Sequence, residues 1–177
     1  MTVQAIREHR IESLADLLDV HGREIQGVAF LILRDRALAE DVTIETLLTA
    51  FERGSSIRDD AALRPWLLRV ATNKALTVRR STARIADLSL VPDPIVRGDL
   101  AGDATDRVVL LGAVGALPIQ MRAAVVLRYY ADLSVEGVAA ALGKSPNTIK
   151  AQLQVALDRL RRSLAEPETH AAETSHA

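Results

Sequence analysis

Five residues that can read a base edge or a phosphate stand close together near the end of the chain: Asn147, Thr148, Lys150, Gln152 and Gln154. They follow Ser145-Pro146, a favoured N-cap with a proline at the first helical position. The spacing therefore predicts a helix that opens there and runs to about Leu164. Asn and Gln can make paired hydrogen bonds to adenine, and Lys can reach phosphate or guanine. A shorter helix is predicted from Val135 to Leu142, with Ser134 as its N-cap and Gly143-Lys144 as the tight turn after it. Gly143 supplies the positive φ that such a turn often requires. Small Ala139 lets two helices cross closely, and Ile149 and Leu153 would pack the second helix on the first. In a DNA-binding helix-turn-helix the N-terminal part of that second helix enters the major groove. The same spacing also fits a helical hairpin with no DNA role.

A second candidate set lies in an acid-free stretch. From Ala61 to Ala86 there is no Asp or Glu, yet Arg64, Arg69, Lys74, Arg79, Arg80 and Arg84 all fall there. Arg69, Asn73 and Arg80 share a face by three- and four-residue spacing. Asn73 either reads a base edge or is exposed and neutral. Trp66, Leu67, Val70 and Ala71 suit a buried stripe, which makes Trp66 a core residue rather than a stacking platform. Catalytic chemistry finds no support. His9, His21, His170 and His176 are scattered without metal-ligand spacing, there is no cysteine and no phosphate-cradling glycine loop, and Glu40, Asp41 and Glu45 do not converge on a site. No catalytic residue, metal or cofactor is expected, and the chain is not expected to be an enzyme.

The elements that carry these residues read as helices. At 177 residues and 19.2 kDa the chain allows one ordinary domain or two small ones. It is 49% apolar but only 3% aromatic, so its core must be mostly Leu, Val, Ala and Ile, which argues against a large all-β fold. Helical spacing predicts a helix opening at Ile11, with a possible break at Gly22, one from Ala37 to Glu52, and one from Leu63 to Arg80 with Pro65 in its first turn. Val108 to Leu117 is another, and Pro118 starts the next, to about Tyr130. Between the two sets, Ala86 to Thr105 carries Pro92, Pro94, Gly98 and Gly102, and five acids lie between Asp87 and Asp106 against Arg97 alone. That composition predicts a flexible acidic linker. Charge thus alternates: from Lys144 to Arg162 there are five bases and one acid. The near-zero net charge of -1 hides two basic surfaces suited to a polyanion. The expected architecture is all-α, with two small helical domains at 10–84 and 106–164, a linker at 85–105 and a disordered tail at 165–177. No apolar run is long enough for a membrane helix and the N-terminus lacks a signal-peptide block, so no membrane insertion and a cytoplasmic location are expected.

In this order the pieces resemble a bacterial sigma factor of the extracytoplasmic-function group, which has only the second and fourth conserved sigma regions. Four motifs carry the resemblance. Ala39-Glu40-Asp41-Val42, followed by Glu45-Thr46-Leu47, looks like the second-region helix that docks on the clamp helices of the polymerase β′ subunit. Pro65-Trp66-Leu67-Leu68-Arg69-Val70-Ala71-Thr72-Asn73 looks like the promoter-melting segment. Ala116-Leu117-Pro118, Arg122 and Val126-Leu127-Arg128-Tyr129-Tyr130 look like the start of the fourth region. Leu133 to Ala139, Thr148-Ile149-Lys150, Ala156 and Leu160-Arg161 look like its helix-turn-helix.

The resemblance implies that Asp41, Glu45, Thr46 and Leu48 bind core RNA polymerase. It implies that Ile57, Arg58, Asp59, Arg64, Arg69, Asn73, Lys74 and Arg80 contact the minus-ten element, with Ile57 to Ala61 and Asn73 holding a flipped base. Ser145, Asn147, Thr148, Lys150, Gln152 and Gln154 would contact the minus-thirty-five element. The implied partners are core polymerase, through its β′ clamp helices and β flap, promoter DNA, and an anti-sigma factor that masks these surfaces. Three departures stand out. Ile44 replaces the usual Gln before Glu45, Ile57-Arg58-Asp59 replaces Phe-Arg-Gly, and Lys150-Ala151-Gln152 replaces Lys/Arg-Ser-Arg, with Gln154, Val155 and Leu157 where later arginines are usual. Losing those bases predicts weaker duplex binding with a flatter salt dependence. It also leaves Val155 and Leu157 open to a protein contact. The competing readings are a stand-alone helix-turn-helix regulator and a degenerate sigma-like adaptor.

Overall fold

The structure, a computed structural model, describes residues 11–53, 57, 59–89 and 104–165. Among them every regular element is a helix. Helices α1 (Ile11–Leu33), α2 (Arg36–Arg53) and α3 (Asp60–Ser89) form the first half. The second half comprises α4 (Ala104–Ala116), α5 (Ile119–Val125) continued by a π-helical turn (Val126–Tyr130), α6 (Val135–Leu142) and α7 (Pro146–Ala165).

Gly22 does not break α1. Leu17, Ile25, Val28, Ala29 and Ile32 form one fully buried stripe on both sides of it. Burying such side chains is worth about 1.5–3 kcal/mol each, against the roughly 1 kcal/mol that a mid-helix glycine costs. The helix ends at Arg34, which takes a left-handed conformation (φ 62°) while its N–H donates to Phe30 O at 2.7 Å. Asp35 then caps α2, its Oδ1 accepting from Leu38 N–H at 3.0 Å. The core face of α2 is Ala39, Val42, Thr43, Thr46, Leu47 and Ala50. The two threonine hydroxyls donate back to Ala39 O and Val42 O, both at 2.7 Å, so neither is buried unpaired.

Helix α3 is longer than the expected Leu63 to Arg80. Its start is set by Asp59, whose Oδ1 accepts from Ala62 N–H at 2.8 Å. Pro65 therefore lies in the second turn, not the first; the donor it lacks would have faced Ala61 O, where both residues are exposed to water. At the other end nothing in 81–89 stops the helix, and Pro92 is the first strong breaker after Arg80. The boundary expected at 84 is thus overrun, and α4 begins at Ala104, inside the expected linker. The remainder of that linker, 90–103, and the tail from Glu166 lie outside the described residues.

In the second half Pro118 (φ −51°, ψ 138°) is the N-cap residue of α5, one place before the first turn expected for it. Ala131 N–H donates to Val126 O at 3.0 Å, the five-residue spacing that makes the turn π-helical. Ser134 caps α6 by accepting from Gly137 N–H at 3.0 Å, and Gly143 ends it at φ 64°. Ser145 Oγ accepts from Thr148 N–H at 3.1 Å and opens α7.

The two halves share one core. Helix α3 packs against α6, and α1 against α5 and the π-turn. Three arginines cross the seam. Arg34 donates to Leu111 O. Arg64 donates to Glu24 on α1 and to Ala131 O at 2.6 Å. Buried Arg122 donates to Ile32 O at 2.7 Å and, within its own half, to Gly115 O and Leu117 O. Tyr130 lies over Gly27, where a Cβ would overlap its hydroxyl and approach Cζ to 2.6 Å. A mid-helix Gly→Ala change ordinarily stabilises by about 1 kcal/mol. In this protein Gly27→Ala must expel Tyr130, so it should be at least about 1 kcal/mol more favourable in a Tyr130→Ala background than in the wild type. Urea unfolding of the four proteins in that cycle measures this, and equal effects in both backgrounds would show that the two residues do not meet.

Candidate functional site

Helix α2 turns an acidic and apolar stripe outward. Asp41, Glu45 and Leu48 are exposed, and so is Ile44, at 57%. Across from Ile44 stands Leu18 of α1, 53% exposed. Between them runs an open groove of about 770 Å³, lined also by Gly22 and Thr43. Thr46 is a correction to the expected set. It is fully buried, one turn from Val42 and from Ala50 on the core face, and cannot meet a partner at the surface.

A second groove, about 500 Å³, runs between α2 and α3. Arg69, Asn73 and Lys74 line it with Trp66, and Glu45 forms part of the opposite wall. Lys74 Nζ pairs with Glu45 Oε2 at 2.9 Å, so one ion pair links the outward stripe of α2 to the basic helix. Trp66 is half-buried, packed on the core with its remaining surface in the groove.

Other members of the expected minus-ten set are placed elsewhere. Ile57 is 1% exposed in the shared core, so it cannot line a base pocket; an isolated apolar side chain in a polar loop has been drawn inward. Arg58 lies outside the described residues. Asp59 is occupied as the α3 cap, Arg64 is held at the seam by Glu24 and Ala131 O, and Arg80 Nε donates to Leu76 O at 3.3 Å. His21 is half-buried near Glu24 and Arg64. Burial lowers its pKa from the usual 6.5, with Arg64 adding to the shift and Glu24 opposing it.

The helix-turn-helix has the form its caps predict. Ile149, Leu153, Ala156 and Leu160 are the buried positions of α7, which packs on α6. Asn147, Thr148, Lys150 and Gln154 are exposed together on its first turns. Ser145 and Thr148 hydroxyls lie 2.8 Å apart, both engaged in the cap. Gln152 is only half exposed, its Oε1 accepting from Lys144 Nζ at 3.3 Å.

Residues 17–85 match the family described as sigma-70 region 2, and residues 107–160 match sigma-70 region 4. The ECF RNA polymerase sigma factor SigL of Mycobacterium tuberculosis is 34% identical over 157 residues, covering 85% of this chain and 88% of the relative. The chain belongs to the ECF RNA polymerase sigma factors. The RNA polymerase sigma-E factor of Streptomyces coelicolor is 33% identical over 137 residues, 75% of each chain. Among solved structures, the sigma factor RpoE from Bartonella quintana, in complex with the anti-sigma factor NepR, superposes with a TM-score of 0.70 at 24% identity. The match covers 87% of this chain and 98% of that one, and it shows the shared fold.

In this ECF sigma factor the seam residues are what sequence reasoning missed. Arg122 had a motif position but no assigned contact. Its signal was a lone base in the apolar run from Ile119 to Leu127. Leu18 carried none, because an exposed leucine on an apolar helix looks like part of the core stripe. No helix among the described residues is long and apolar enough to cross a membrane.

Proposed function

We propose that this ECF sigma factor binds core RNA polymerase through the outward stripe of α2 and reads promoter DNA with two separate surfaces. Asp41 and Glu45 meet basic side chains of the β′ clamp helices, while Ile44 and Leu48 provide the apolar contact between them. The α2–α3 groove holds non-template DNA near the minus-ten element, with Arg69 and Lys74 on phosphate and Asn73 on a base edge. A base leaves the stack at a cost of a few kcal/mol, which such contacts must offset. The helix-turn-helix takes the minus-thirty-five element and rests on the β flap. An anti-sigma factor holds the protein inactive by covering the α2 stripe. The polymerase performs the chemistry, and this chain decides where it begins.

The observation that carries this reading is the open row of Asp41, Ile44, Glu45 and Leu48 beside the Arg69–Asn73–Lys74 groove. Co-elution with purified core polymerase tests it. Charge reversal at exposed interface positions costs roughly 1.4 kcal/mol or more when two acids are inverted together, so Asp41→Arg/Glu45→Arg should weaken binding at least about tenfold. All four residues are exposed, so the variant should keep its fold. Folded wild-type protein that fails to co-elute sinks the proposal and leaves a stand-alone regulator. Co-elution without initiation on any DNA leaves the adaptor.

A further inference from the structure

The reading face of α7 has an apolar centre. Ile149, Leu153, Ala156 and Leu160 fix the core side of the helix. At about 100° per residue, Asn147, Ala151, Gln154 and Val155 lie on the opposite side within the first three turns, and Asp158 and Arg162 continue that side towards the C-terminus. All six are exposed, Val155 at 43%. Leu157, the other apolar residue in place of a base, instead packs partly on the core. On the first three turns the exposed aliphatic side chains are thus Ala151 and Val155, one turn apart on the same face, while the exposed Leu164 stands at the far end of the helix.

The surroundings of this pair select its partner. Asn147, Thr148 and Gln154 flank it with hydrogen-bonding groups, and Lys150, Arg159 and Arg162 are exposed bases on the same helix. The one acid between Lys144 and Arg162, Asp158, is paired with Arg161 at 2.8 Å. This rim fits a polyanion. In the major groove the apolar group that a base pair offers is the thymine C5-methyl. We propose that Ala151 and Val155 read thymine methyl groups in the duplex promoter element, beside an adenine contact from Asn147. The proposal rests on the DNA-binding reading of the helix-turn-helix. It gives the helix a source of sequence preference where arginines are absent, and it predicts an element rich in A·T pairs. Gln152 takes no part in the pair's contact, since Lys144 holds it towards the turn.

The test uses the full chain loaded on core polymerase and a pool of duplexes randomised upstream of a fixed melting region. The enriched duplex is resynthesised with deoxyuridine in place of each thymidine in turn, which removes one methyl and nothing else. A buried methyl is worth about fourfold in affinity, so one or two of these substitutions should each cost about that much. Val155→Ala should abolish one of the penalties, and Val155→Thr, which keeps a methyl, should retain part of it. Enriched duplexes that bind equally well with deoxyuridine throughout overturn the proposal alone. So does a Val155→Ala protein that keeps every methyl penalty, including one that loses polymerase affinity instead, since that would mark Val155 as a protein contact. No enrichment by the loaded polymerase overturns both this proposal and the DNA-binding reading beneath it.

Discussion

Arg122→Met should lower the unfolding free energy by about 3 kcal/mol, the range for stripping the donor from buried hydrogen-bond acceptors. Arg122 is 7% exposed, and its guanidinium reaches three backbone carbonyls in two places. Ile32 O belongs to the last turn of α1, Gly115 O to the last turn of α4, and Leu117 O to the residue just beyond it. Terminal carbonyls have no partner inside their own helix, and a cation is favoured at that end of the macrodipole. One side chain thus completes a helix end from each half of the chain, Arg122 itself standing 90 residues from Ile32. Methionine keeps most of the stem and removes only the head, so packing loss is minimised and the effect reports the carbonyls. At roughly 2–4 °C per kcal/mol for a chain of this size, the melting temperature should fall by about 6–12 °C. Arg122→Lys should recover part of the loss, since it restores charge without the planar fork. A loss under about 1 kcal/mol by urea unfolding would show that water can replace the guanidinium and that the seam does not depend on it.

Ile57→Ala should cost about 2–5 kcal/mol, the range for truncating a fully buried branched side chain. The position distinguishes two roles sharply, because sequence resemblance placed Ile57 against DNA and the structure places it in the core. In the core role, promoter opening by the variant falls only as far as its folded fraction falls. At a temperature where it is fully folded, opening should match the wild type. Unchanged stability with impaired opening would return Ile57 to the DNA surface.

Local signals made the helix-turn-helix legible. Ser134, Gly143 and Ser145-Pro146 set its ends through bonds within three or four residues, so no tertiary information was needed to place them. The start of α3 was read from Pro65, whereas the bond from Ala62 N–H to Asp59 Oδ1 sets it nearer the loop. Thr46 could have been assigned correctly from spacing alone, since Val42, Thr46 and Ala50 recur every four residues on one face. The open stripe of α2 was legible in its acids and not in its groove, because the groove needs Leu18 from another helix. The same holds for Gly27 and Tyr130 and for the arginines at the seam: each contact joins residues far apart in sequence, and single residues do not announce such partners.

The π-turn at Val126–Tyr130 makes the count of residues matter as much as their kinds. A ladder bonded over five residues carries one more than an α-helical ladder, and one residue rotates a helix by about 100°. That added rotation sets the phase of the helix-turn-helix on α5, and it goes with Tyr130 lying over Gly27 and the Ala131 carbonyl meeting Arg64. Removing any single residue from the turn would leave every cap of the helix-turn-helix in place and swing the whole unit out of phase with α1. A relative one residue shorter here would keep the same helix-turn-helix and set it at another angle on α5.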